Sequence, residues 1–201
     1  MEKRTLIPGI LCLVMMLGSL SAFAQFYVEA GVTGTDAVED EYTAHIKPDI
    51  GIVMHAGAAF DLAKNLKGQG GLGFSTLNFS QSFSGGSYSS HIVTMDLPLS
   101  LRYRIANPIE FSGGIQLSFP SGLSVLGNSY EDEMKGLALF YMAGLDFHIH
   151  KDISITVNGL LGSGDLFTYQ DVDEYGEISS VETLRLSSLR ISLKINLAHF
   201  D

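Results

Sequence analysis

The chain has 201 residues, with 22 acidic and 12 basic side chains and a formal charge of −10. That length supports one domain with a substantial core. The acidic balance argues against nucleic acid as a partner, since phosphate binding needs basic stripes, and the lone Cys12 leaves no disulfide framework within the chain.

Residues 1–24 read as a signal peptide: Lys3 and Arg4 form a positive start, Leu6 to Leu20 an apolar stretch, and Ala22-Phe23-Ala24 a small-x-small cleavage site. The expected mature domain is 25–201, without cysteine and with 21 acidic and 10 basic residues. No later segment holds the roughly 18 unbroken apolar residues of a membrane helix. Any membrane crossing therefore falls to strands.

Phe26 to Thr33 alternates, with Phe26, Val28, Ala30 and Val32 on one face and Tyr27, Glu29, Gly31 and Thr33 on the other. An acidic stretch follows, with Glu39, Asp40 and Glu41 together. The second strand spans about Pro48 to Asp61, and L-A-K-N-L-K turns the chain. In the glycine-rich third strand, Leu72 and Phe74 share one parity and Leu77, Phe79 and Phe83 the other. That slip predicts a one-residue bulge near Ser75. S-G-G-S-Y-S-S reads as a loop into the fourth strand.

The fourth strand, Val93 to Ile105, is the most regular: every odd position is apolar or aromatic and every even one polar, charged or proline. It is roughly 43 Å long at about 3.3 Å per residue. Tilted by about 45° it rises roughly 30 Å, the thickness of a bilayer's hydrocarbon. After Ala106-Asn107-Pro108 come a fifth strand (Ile109 to Phe119), a polar loop containing Glu131, Asp132 and Glu133, and a sixth strand (Leu137 to Ile149). His150-Lys151-Asp152 turns into the seventh (Ile153 to Leu161), and the longest loop, Gly162 to about Glu182, precedes the last strand, Leu189 to Leu197.

Eight strands whose connections alternate long and short predict an all-β, eight-stranded antiparallel up-and-down transmembrane β-barrel in an outer membrane. The apolar faces then meet lipid. Glu29, Asp96, Arg102, Glu110, Asp146, Arg190 and Lys194, with His55, Arg104 and His148, fall on the other face and point inward, where charges of both signs can pair. Eight strands enclose a space that side chains just fill, so a plugged interior and no open pore are expected. Aromatics including Phe26, Tyr27, Phe60, Phe79, Tyr103, Phe119, Tyr141 and Phe147 lie mostly near strand ends, as interfacial girdles do.

The segment Met95-Asp96-Leu97-Pro98-Leu99-Ser100-Leu101-Arg102-Tyr103-Arg104 resembles the acidic-apolar-Pro-Leu…basic-Tyr strand of the Bacteroidetes outer-membrane β-barrel family called PorT-like. I-E-F-S-G-G-I-Q-L and A-G-L-D-F are similar to strands of the same family. The resemblance implies an eight-stranded barrel of the OmpX or OmpA-membrane-domain type. Its partners would be outer-membrane lipid, the barrel-assembly machinery and a surface or secretion-system protein. One departure is the end of the chain: Phe200 precedes Asp201 and has the opposite parity to Leu193, Ile195 and Leu197, whereas such barrels usually end in a lipid-facing aromatic.

The sharpest chemical pattern is Asp171, Asp173, Glu177 and Glu182 with Gly176 and Ile178, the D-x-D-x-x-G-x-I-x-x-x-E spacing of an EF-hand calcium loop. Tyr175 stands where Asp or Asn is expected, and the alternative is an acidic, solvated loop. Ser89, Ser90 and His91, and His148 and His150 near Asp146 and Asp152, have no spacing that specifies a catalytic triad. The expectation is a barrel that is not an enzyme, with a structural or surface-interaction role and no cofactor beyond that calcium. The alternatives are a lipid A-modifying barrel enzyme and a soluble periplasmic barrel binding a small apolar ligand.

Overall fold

The computed structural model describes residues 24–38, 45–83, 86–125, 128–129, 137–163, 167–172 and 178–197. Ten strands follow in order: β1 (Ala24–Val38), β2 (His45–Ala63), β3 (Leu66–Phe83), β4 (Gly86–Ala106), β5 (Ile109–Val125), β6 (Asn128–Ser129), β7 (Ala138–His150), β8 (Ile153–Gly162), β9 (Phe167–Val172) and β10 (Ile178–Asn196). Eight of them, β1 to β5 with β7, β8 and β10, pair antiparallel with their neighbours, while β6 adds to β5 and β9 to β10. The circle closes because β1 also pairs with β10, from Tyr27↔Asn196 to Val38↔Arg185. Closure leaves the cylinder no free strand edge.

Alternation decides which way each residue points, since successive side chains leave opposite faces of a strand. Leu99 and Leu101 are 43% and 53% exposed, whereas Asp96 and Arg102 are 0% and 4% exposed. The oily face is outside and the ionic face inside, the reverse of a soluble barrel. A wall of this kind suits hydrocarbon, because every strand backbone finds its partner within the ring. A soluble barrel with an apolar ligand inside would need the opposite arrangement.

One end of the cylinder is closed by three two-residue turns, Lys64-Asn65, Asn107-Pro108 and Lys151-Asp152. At the other end the strands run further than their hydrophobic pattern. S-G-G-S-Y-S-S is mostly paired backbone rather than loop, with Ser80↔Ser89 and Phe83↔Gly86 in one unbroken register. The longest expected loop likewise contains a hairpin, in which Leu184↔Phe167 and Ile178↔Val172 pair β10 with β9. Period-2 contrast vanishes once both faces of a strand are polar, so these extensions carry no alternation to read.

The bulge also lies elsewhere. Pairing of β3 with β4 is in constant register past Ser75. The irregularity is in β2, which fits one extra residue between Pro48 and Val53. Side chains of β3 satisfy the displaced backbone: Ile52 N donates to Thr76 Oγ1 (2.9 Å) and Asn78 Nδ2 donates to the Ile50 carbonyl (2.8 Å). Positions 76 and 78 are therefore polar on the outward face, while Leu77 and Phe79 point inward. The hydrophobicity changes sides; the backbone does not. Phe79 (4% exposed) and Tyr27 (2% exposed) thus lie inside the barrel and belong to no girdle, whereas Phe26, Tyr103, Phe119, Tyr141 and Phe147 are exposed on the wall.

Candidate functional site

The functional residues the structure brings together line the barrel's interior in two layers. Toward the end away from the short turns, Leu77 and Phe79 of β3, Ile92 of β4, Ala138, Phe140 and Met142 of β7, Leu160 of β8 and Leu186 of β10 form one buried apolar cluster. Toward the turn end lies an ionic layer built on four carboxylates, Asp96, Asp146, Glu110 and Glu29.

Asp96 is the first. Its Oδ2 accepts from Ser75 Oγ (2.6 Å), and its Oδ1 from Thr94 Oγ1 (2.9 Å) and Ser118 Oγ (2.7 Å). His55 Nε2 stands 3.4 Å away and Arg190 Nη2 4.0 Å. Arg190 Nη1 donates to Gln116 Oε1 (3.1 Å), whose Nε2 donates to Ser118 Oγ (3.0 Å), so the group closes on itself. Multiple donors of this kind are what allow a charge to stay ionised away from water.

Asp146 is the second, held by Arg102 through Nη2 and through Nε (3.0 Å), by Thr156 Oγ1, and by Lys194 Nζ (3.4 Å). Lys194 also donates to Gln69 Oε1 (3.1 Å) and sits 5.2 Å from the centroid of the Tyr27 ring, a cation–π distance. Glu110 is the third, at the turn end, facing Arg102 (3.7 Å), Arg104 (3.1 Å) and His148 (3.2 Å). Glu29 accepts from Ser192 Oγ (2.5 Å) and pairs across the backbone with both His55 and Lys194.

Two glycines make this wiring reach beyond adjacent strands. Gly73 lies between His55 and Asp96 in the register, and a Cβ there would overlap the His55 ring. Gly144 lies between Ser112 and Asn158, and a Cβ would strike Asn158 Oδ1, which accepts from Ser112 Oγ at 3.2 Å across it. Sequence parity puts these residues on one face, but only closure shows that the next strand but one is in reach. The sequence offers Ser75 only as a bulge position and gives no reason to single out Thr94, Gln116, Ser118 or Thr156, because isolated hydroxyls and amides look alike until a carboxylate is seen beside them.

Of the proposed calcium ligands, Asp173 and Glu177 lie outside the described residues, and Asp171 and Glu182 are described as backbone positions of β9 and β10. His148 faces Glu110, and His150 Nδ1 is 3.9 Å from Asp152, while Asp146 is committed to Arg102 and Lys194. His91 is exposed near the far end.

The family model of the outer membrane protein beta-barrel domain matches residues 10–178. Among solved structures, the chain is similar to Neisserial surface protein A, at 13% identity and a TM-score of 0.55, over 87% of this chain and 99% of that one. It is also similar to Ail, the attachment invasion locus protein of Yersinia pestis, in complex with the heparin analogue sucrose octasulfate, at 13% identity and a TM-score of 0.51, again over 87% and 99%. At such identities the likeness is one of fold. No curated protein matches the chain.

Proposed function

The chain belongs to the outer membrane protein beta-barrel domain family, and from that premise we propose a non-catalytic barrel with a closed interior, acting through its outward-facing connections in a structural or surface-interaction role. It lies in the outer membrane, its apolar wall against lipid. The short turns are assigned to the periplasmic side and the long connections to the cell exterior, as in barrels of this class.

The observation that carries the closed interior is the double filling: an apolar cluster above an ionic layer whose charged groups are paired. The interior cavity among Tyr27, Arg102, Asp146, Arg190 and Lys194 amounts to about 20 Å³, room for about one water. A porin-like lumen of bulk water has no counterpart in that volume. Reconstituted into planar bilayers, the protein is expected to leave the conductance at the level of the bare lipid. Stepwise ion currents would overturn the reading.

The surface role rests on where the acid lies. Glu39, Asp40 and Glu41, then Glu131, Asp132 and Glu133, then Asp173, Glu174 and Glu177 all fall in connections between the outer ends of strands. Such a rim favours cationic protein segments, or lipopolysaccharide bridged by divalent cations, and repels polyanions. It is opposite in sign to a site for a sulfated sugar such as the ligand in the Ail complex. The PorT-like affiliation and removal of residues 1–24 as a leader belong to the same proposal, and the mass of the chain isolated from membranes tests the cleavage.

A further inference from the structure

We propose that the outer wall carries a seat for one phospholipid of the periplasmic leaflet, in a groove across β2 to β5. The wall is not uniformly covered. Phe60 and Leu62 of β2 face Leu99 and Leu101 of β4 and Ile115 of β5, and between them Gly68 and Gly113 leave an apolar groove of about 360 Å³. That volume falls in the roughly 300–1,000 Å³ range of small-ligand clefts. The Phe60 ring already covers Gly68, whereas a Cβ on Gly113 would meet nothing closer than Phe111 Cε1 at 3.5 Å. The floor at Gly113 is therefore open to an occupant.

Three observations favour an acyl chain as that occupant. The groove is continuous with the lipid-facing wall, so hydrocarbon already surrounds it. It starts at Leu62, beside the Lys64-Asn65 turn, and extends to Leu99, seven residues from the end of β4. Those seven residues put the groove's deepest point roughly 16 Å from the turn end at about 45° tilt, about the depth of one leaflet of a hydrocarbon layer about 30 Å thick.

The third observation is charge. Lys64 at the mouth is exposed and makes no ion pair among the described residues, while Lys67 is 3.9 Å from Asp61 and Lys151 3.8 Å from Asp152. A free ammonium at headgroup depth fits a phosphate. It disfavours a second copy of the chain, because a two-fold contact on this patch brings the same surface of each subunit together and so sets Lys64 near its own counterpart.

The chain contains no tryptophan, so a single reporter can be read without background. Tyr103→Trp stands beside the groove's mouth, and Leu193→Trp stands on the opposite wall, each three residues from the turn end of its strand. The refolded full barrel in detergent micelles is titrated with phosphatidylglycerol brominated on its acyl chains. Tyr103→Trp is expected to quench at a mole fraction about fivefold lower than Leu193→Trp, the factor that about 1 kcal/mol from one lysine supplies.

Adding Gly113→Leu, which the open floor admits, or Lys64→Glu, in an exposed turn outside the strands, is expected to bring the first reporter to the level of the second. Circular dichroism checks that each variant is folded. Equal quenching of the two reporters overturns the proposal, as does a difference that survives Gly113→Leu. A particle mass of two chains that Gly113→Leu halves assigns the groove to self-association and overturns it too.

Discussion

Asp96 is held by five side chains from four other strands and its own, namely Ser75, Thr94, Ser118, His55 and Arg190. Removing the carboxylate strands its hydroxyl donors and leaves Arg190 facing a void. Asp96→Ala is expected to cost about 3–5 kcal/mol, the penalty for breaking a buried, hydrogen-bonded pair. Asp96→Asn keeps the volume and one oxygen but loses the charge opposite Arg190, so it is expected to fall between alanine and the native residue. Asp61→Ala removes the carboxylate from an exposed pair with Lys67 and should leave stability unchanged, because solvent screens such pairs. Guanidinium unfolding from lipid vesicles, followed by circular dichroism, ranks all three. Equal midpoints for Asp96→Ala and Asp61→Ala would mean that the interior network adds nothing to stability.

β4 and β3 mark the limits of what alternation can tell. In β4 one face is apolar from Val93 to Ile105, so strand and parity follow from period 2 and the membrane span from the length of the run. In β3 the same rule misleads, because Thr76 and Asn78 serve the β2 bulge and Leu77 and Phe79 turn into the core. A hydrophobic pattern records what each face touches, and the inward face of β3 touches ions at one end and oil at the other. Pro98 shows a further effect that the pattern hides. The β3–β4 ladder runs from Gly70↔Leu99 to Gly73↔Asp96 without the intervening pairs, where proline has no N–H to offer. Register survives this gap because both flanks share it. The outward face of β4 should read out bilayer depth directly. Leu97→Arg, near the middle of the span, is expected to cost about 2–4 kcal/mol, and Ile105→Arg, at the turn end, about 0–1 kcal/mol. The same unfolding assay measures both, and equal costs would place the membrane elsewhere on the wall.

Eight strands and their closure could be read from period 2 and from the count of segments, since an even number of spans returns the chain to the side on which it began. The stacking of the interior could not. Leu77, Ile92, Phe140, Leu160 and Leu186 come from five strands, and their common height depends on the register of every ladder between them, which no single strand encodes. That stacking puts two barriers in series along the axis. An ion entering from outside meets the apolar layer and then the ionic layer, where Arg102, Lys194 and Asp146 are already bound to one another. Transport through barriers in series is governed by the higher one, so removing one while the other stands changes little. Under the closed-interior reading, Phe79→Ala with Ile92→Ala and Phe140→Ala is expected to leave planar bilayers silent, as is Arg190→Ala with Lys194→Ala. The five substitutions together should give discrete current steps. Currents from the apolar triple variant alone would show that water and ions already pass the charged layer, and would assign the whole seal to the oily one.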